Sequence, residues 1–420
     1  ETVATPTKFF ADNEFSNARG VIIDNNPESS YLGTVYVSNT VDGTKAKGLW
    51  KYDQNLTAAE SAIGTEEFSQ GNTASPFRLG MLNDGTVIAS DWSDKHSGLW
   101  LVDPANLSVS QMFAGDRDAT GAFTNNGAII GGGSTGVSVI GEGENTVLYT
   151  FLEDYPKGNG GNKLVRYNIG TNKTISAAPD AVFEEASGKL VNTNVEVRAT
   201  ANGVWASQTR SAGNNTADVP SLIYCDNEGN IVYNSGASNN LDLNGSNGSG
   251  FAINTTNDKL AICNGDSNVN IYDLTWNENV PTLTFLYTIP VGQGAVNELA
   301  FDMANNLYIA AKSEFSVWSL PYVTTNGVTK AYGTIEIKNG GIVENVAEKV
   351  ATVYPNPAVD VLNVNATAEI ENIAVFALNG ATVASQANID GNQATIDVSG
   401  LAPGIYVVKV NNTAIRFIKK

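Results

Sequence analysis

Short runs of alternating apolar and polar residues, separated by Asn, Asp and Gly, recur along the first 320 residues and predict β-strands throughout. One run returns six times. It reads Leu49-Trp50-Lys51-Tyr52-Asp53, Leu99-Trp100-Leu101-Val102-Asp103, Leu164-Val165-Arg166-Tyr167-Asn168, Leu222-Ile223-Tyr224-Cys225-Asp226, Val269-Asn270-Ile271-Tyr272-Asp273 and Phe315-Ser316-Val317-Trp318-Ser319. The spacing between copies runs from 46 to 65 residues. A second run precedes each copy, from Thr34-Val35-Tyr36-Val37 and Thr86-Val87-Ile88-Ala89 to Asn306-Leu307-Tyr308-Ile309. Most of these second runs follow a turn such as Asn83-Asp84-Gly85, Asn202-Gly203, Asn257-Asp258 or Asn305-Asn306. Such residues tolerate positive φ and suit hairpins. No window shows sustained helical periodicity.

Self-similarity at a period of about fifty residues, with roughly four short strands per unit, predicts an all-β fold of the β-propeller type. Six copies predict six blades. The sixth copy has no outer strand of its own, and the segment from Thr2-Val3-Ala4-Thr5 to Phe9-Phe10 is expected to supply it and close the ring. A seventh blade built from Tyr332 to Ile337 is the rival count.

In a propeller the connections alternate between two ends. Here the turns at one end are mostly short. The opposite end is expected to carry the long connections Ser90 to Gly98, Gly115 to Thr135, Thr150 to Asn162, Ser207 to Pro220 and Ser235 to Gly250. Recognition concentrates on long loops held by a rigid scaffold. Three clusters in those loops are candidate ligand-binding residues: Asp91, Trp92, Asp94 and His96; Asp116, Arg117 and Asp118; and Glu153, Asp154 and Tyr155 behind Phe151. Exposed rings among carboxylates suit a sugar, whose faces stack on aromatics and whose hydroxyls donate to carboxylates. Arg117 and Arg210 would contact an acidic ligand.

Composition narrows the chemistry. The net charge is −19, which repels phosphate backbones and argues against nucleic acid. The single histidine, His96, excludes histidine-cluster metal sites and any second route to a Ser-His-Asp triad. No cofactor is expected; calcium is the one candidate ion, with Asp24, Asp116 and Asp266 as its nearest carboxylates in principle. No Gly-x-Ser-x-Gly elbow or phosphate-cradling loop occurs. Gly131-Gly132-Gly133 precedes a strand and reads as a connector. Cys225 and Cys263 lie on separate predicted strands and read as free and buried, with a disulfide between them as the alternative. No apolar run is long enough to span a membrane.

The last seventy or so residues follow a different pattern. Residues 324–349 read as a linker with one β-prone stretch from Thr334 to Ile337, and 350–420 as a small Ig-like β-sandwich, leaving 1–323 as the propeller. The tail carries Tyr354-Pro355-Asn356-Pro357, then Asp360-Val361-Leu362-Asn363-Val364 and Leu378-Asn379-Gly380. It continues with Gly400-Leu401-Ala402-Pro403-Gly404-Ile405-Tyr406-Val407-Val408-Lys409-Val410 and ends in Arg416-Phe417-Ile418-Lys419-Lys420. In that order these motifs resemble the C-terminal sorting domain of the type IX (Por) secretion system of Bacteroidetes. The resemblance implies passage through the secretion translocon by way of residues 350–420, and a secreted or cell-surface location outside the outer membrane. A signal peptide ahead of Glu1 is expected to have been removed.

Two blade phrases, Asp226-Asn227-Glu228-Gly229-Asn230 and Asp302-Met303-Ala304-Asn305-Asn306, resemble the turn phrase of NHL-type and gluconolactonase-like propellers. Three functions follow from these readings. The leading one is a non-catalytic module that binds an extracellular glycan or protein. The second is a propeller hydrolase, either lactonase-like with a metal or glycan-cleaving with paired carboxylates. The third is a structural surface protein.

Overall fold

The computed structural model describes residues 6–56, 59–61, 76–91, 98–113, 129, 131, 133–158, 161–209, 215–238, 241, 243, 248–320, 324–325, 328–329, 334–338, 341–345, 351–377, 381–384, 386–411 and 413–420. Within 7–319, among the described residues, the strands form six four-stranded antiparallel sheets. Five are consecutive in sequence. The sixth joins Val296–Phe301, Leu307–Ala311 and Glu314–Ser319 to Thr7–Asp12 from the beginning of the chain.

That closing strand was expected around Phe9-Phe10 and is present. Thr7 pairs with Ser319 and Asp12 with Phe315, and the Lys8 ammonium lies 3.0 Å from Glu314. Phe10 sits between Tyr52 of the first sheet and Phe315 of the sixth, at ring-centroid distances of 6.0 and 5.7 Å.

The second strand of each sheet explains the packing. Val35–Asn39, Val87–Asp91, Gly203–Gln208 and Leu307–Ala311 are buried at every position. A strand buried on both faces has a neighbouring sheet on each side, and its β-branched and aromatic residues fill the space between. Six apolar clusters supply those contacts. One joins the first and second sheets through Tyr36, Leu49, Val87 and Trp100. The next four run from the second sheet through the third, fourth and fifth to the sixth. The last joins the sixth sheet back to the first, through Phe315 and Val317 against Val35 and Tyr52. This circuit of radially packed sheets is the β-propeller expected from the repeat.

The hairpins behave as the turn residues foretold. Gly85 lies at φ +85° and Asn305 at +60°, conformations that Gly and Asn adopt at low cost.

The tail forms two facing sheets. One holds Ala351–Tyr354, Val361–Ala366, Asn388–Asp390 and Gln393–Asp397. The other holds Ile373–Ala377, Thr382–Ala384, Gly404–Val410 and Thr413–Lys419. Their core includes Leu362, Val364 and Ile396 from one side and Val375, Val408 and Phe417 from the other. The opening motif has a visible role: Asn356 Oδ1 accepts the Ile418 amide at 2.9 Å, tying the start of the tail to its final strand. The turn Leu378-Asn379-Gly380 lies outside the described residues.

Thr334–Lys338, part of the rival seventh blade, pairs with the final tail strand at Ile415 and Ala414 and with Gly341–Asn345 on its other side. It therefore belongs to the tail sheet and to no propeller sheet.

The tail rests on the propeller. Ile405, Val407 and Ala414, on the outer face of its sheet, pack on Leu32 and Met303. Arg416, fully buried beside them, places Nη1 4.0 Å from the Asp302 carboxylate. Leu32 and Asp302 belong to connections between the first and second strands of their sheets, so the tail occupies the short-turn end of the ring.

Candidate functional site

The first strands of the sheets run side by side around the axis, and their starting ends share one face. At that level the axis is filled by side chains. Arg78, just before the first strand of the second sheet, is fully buried. Its Nη1 donates to Glu298 Oε2 at 2.9 Å, to the Arg19 carbonyl at 3.1 Å and to the Asn297 carbonyl. Its Nη2 donates to Asn194 Oδ1 at 3.0 Å and Ser249 Oγ at 2.7 Å, and Nε lies 3.5 Å from Glu196 Oε2. One guanidinium thus reaches the first, fourth, fifth and sixth sheets from the second.

Arg198 completes the network, with Nη1 2.9 Å from Glu196 Oε1 and Nη2 3.0 Å from Glu298 Oε1. Two cations alternate with two anions, so the charges of these four groups balance. Burial pushes both guanidinium pKa values down, while Glu196 pulls them back up. The planar five-donor fork of arginine suits such a hub in a way lysine does not. Glycines let the strands come close enough: a Cβ on Gly250 would lie 2.5 Å from the Asn297 carbonyl, and one on Gly136 2.7 Å from the Val197 amide.

Toward the short-turn end the axis opens into a cavity of about 170 Å³, lined by Val21, Leu79, Val137 and Phe301, with Arg198 as its charged wall. Toward the other end lie the connections from second to third strands and from each sheet to the next. The strand ends there bound the sequence intervals 92–97, 112–132, 154–162, 209–221 and 235–250, which match the long connections expected from the sequence.

The expected site residues divide into two groups. Trp92, Asp94, His96, Asp116, Arg117, Asp118 and Arg210 lie outside the described residues. Asp91 ends a strand, is fully buried, and accepts the Trp100 indole N–H at 3.3 Å. Glu153 is half-buried at the end of the strand Val147–Glu153. Asp154 has φ +48° and its Oδ2 accepts the Gly158 amide at 2.9 Å, so it shapes its own loop.

Two aromatics expected to be exposed are buried: Phe151 packs between the third and fourth sheets, and Tyr155, 7% exposed, between the second and third. Sequence patterning marks them as apolar positions but does not tell a loop ring facing solvent from one folded under the loop.

Asp24, one of the calcium candidates, accepts Ser29 Oγ at 2.5 Å and the Asn26 amide at 2.9 Å, and burial raises its pKa. Among the described residues no group of three or more His, Cys, Asp or Glu converges on a point where a metal would sit.

The hub was not foreseen, although the sequence carries a trace of it. Arg19, Arg78, Glu196, Arg198 and Glu298 all stand in or just before the first strand of a repeat, mostly among apolar neighbours. Charged residues recurring at one repeat position mark the axis.

Cys225 and Cys263 are free and buried, as the sequence suggested. Burial drives the Cys225 thiol up to about 12. Its thiolate fraction at pH 8 is then on the order of 10⁻⁴, so Ellman's reagent is expected to leave it unmodified until the fold is opened. Rapid labelling of Cys225 in the native protein would contradict its placement.

The family model described as a secretion system C-terminal sorting domain matches residues 352–420. No curated protein matches the chain in sequence. Among solved structures, the chain is similar to a structural genomics protein of unknown function from Bacteroides thetaiotaomicron, at 11% identity and a TM-score of 0.46, covering 73% of this chain and 70% of that one. It is similar to the WD40 β-propeller domain of Doa1 at 13% identity and a TM-score of 0.43, covering 76% and 97%. It is also similar to the extracellular domain of a putative hybrid two-component system from B. thetaiotaomicron, at 10% identity and a TM-score of 0.41, covering 96% and 57%. The tail is a type IX sorting domain, which directs export to the cell surface. No described helix is long and apolar enough to cross a membrane.

Proposed function

We propose that this surface-directed protein is a six-bladed propeller that binds a glycan or protein through its long-loop end and catalyses no reaction. The observation that supports the reading most is the placement of the tail. It covers part of the short-turn end near Leu32, Asp302 and Met303, which leaves the long-loop end clear of its own chain's export domain. A binding end pointing away from the exported tail is the arrangement a displayed receptor needs.

In this reading Trp92, Asp94, His96, Asp116, Arg117, Asp118 and Arg210 form the contact surface. Glu153 and Asp154 border it, and Asp91 and Tyr155 support it from below. The proposed division is a propeller at 1–323, a connecting segment at 324–349 that lends edge strands to the tail, and an Ig-like sorting sandwich at 350–420. The ring is held by the charge-balanced hub, whose paired ions serve as ties between blades.

A glycan array probed with the full chain, with and without calcium, tests the sugar arm. Selective binding to a glycan class, lost on Trp92→Ala, is expected. Binding to no glycan in either condition sinks that arm and leaves a protein ligand.

A further inference from the structure

We propose that Arg19, at the long-loop end of the axis, holds the anionic group of an acidic glycan, either a uronate carboxylate or a sulfate ester. The proposal rests on the reading of that end as the binding face, and it names the ligand class.

Arg19 is the second residue of the first strand, Ala18–Ile23, and is only partly buried. Its guanidinium carbon lies 5.6 Å from the centroid of the Phe77 ring, and the Arg78 guanidinium carbon lies 4.9 Å from the same centroid. Two guanidiniums therefore share one ring. Their electrostatics differ. Arg78 is matched, with Arg198, by Glu196 and Glu298. Among the described residues, Arg19 forms no ion pair with a carboxylate.

Burial and the adjacent Arg78 push the Arg19 pKa down to about 10, so it remains a cation at neutral pH. A partly desolvated cation without a counter-ion is unfavourable, and an arriving anion relieves it. The guanidinium fork matches a carboxylate or sulfate with two parallel hydrogen bonds.

The chain as a whole opposes anions, with a net charge of −19, so a local cation must carry any such recognition.

The test is titration calorimetry of the full chain with three probes: an oligogalacturonate, a heparin-derived oligosaccharide and a neutral cello-oligosaccharide. At least one anionic probe is expected to bind more tightly than the neutral one, and comparing the two identifies carboxylate or sulfate as the preferred group. Arg19→Gln is expected to weaken that binding at least about tenfold, the scale of one lost charged hydrogen bond. Arg166→Gln, which removes a pair with Asp180 on the third sheet, is expected to leave it unchanged.

Thermal midpoints establish that the variants fold. If Arg19→Gln does not fold, Arg19→Lys decides: it keeps the charge but loses the fork, and unchanged affinity overturns the proposal. Anionic binding by Arg19→Gln within about twofold of wild type also overturns it. Binding of the neutral probe alone ends this inference while leaving the binding-face reading intact. Binding of no probe ends both for sugars.

Discussion

Replacing Arg78 by leucine is expected to lower the unfolding free energy by about 3–5 kcal/mol, the range for breaking one side of a buried ion network. The leucine fills part of the volume but supplies no donor. Asn194, Ser249 and the carbonyls of Arg19 and Asn297 each lose a hydrogen-bond partner in a fully buried space. Glu196 and Glu298 are then left with Arg198 alone, so two anions face one cation.

The penalty comes from these orphaned groups more than from the lost bonds. Arg78→Lys restores the charge but not the fork, and is expected to recover only part of the loss. Urea unfolding followed by tryptophan fluorescence gives the answer. A shift below about 1 kcal/mol for Arg78→Leu would mean that the hub adds little beyond filling the axis.

The second large effect concerns delivery. Removing residues 350–420 is expected to abolish surface display in a host that carries the type IX translocon, because the sorting domain lies within the deleted segment. Cell fractionation reads the outcome, and undiminished surface protein would refute the assignment. The propeller left behind is expected to fold, since its six sheets, seam and hub all lie before residue 320. Its short-turn end would then expose Leu32 and Met303, now covered by the tail.

The sequence made the ring legible because a propeller repeats its hydrophobic pattern six times, and repetition raises a weak strand signal above background. The closing strand at Thr7–Asp12 was legible for a related reason: the sixth repeat visibly lacked a partner. The sorting tail was legible from motifs whose order matters.

The hub was harder to see. Glu196 and Arg198 alternate with valines, a pattern that reads as an ordinary half-exposed strand. Only the convergence of several such strands on one axis turns their charged positions inward. The sides of single residues were least legible. Asp91 and Tyr155 read as ligand-binding groups in the sequence, yet both are buried, because the local path of the chain decides which way its residues face.

The seam between Thr7–Asp12 and Glu314–Ser319 has a consequence for the timing of folding. Lys8 and Glu314 are separated by 306 positions, so the ring cannot shut until nearly the whole propeller has been synthesised. Until then both partner strands are open sheet edges, prone to pairing with another chain. The sorting domain is made later still. A chain truncated anywhere before residue 319 lacks both the seam and the export address, so placing the address last keeps unsealed rings out of the export pathway.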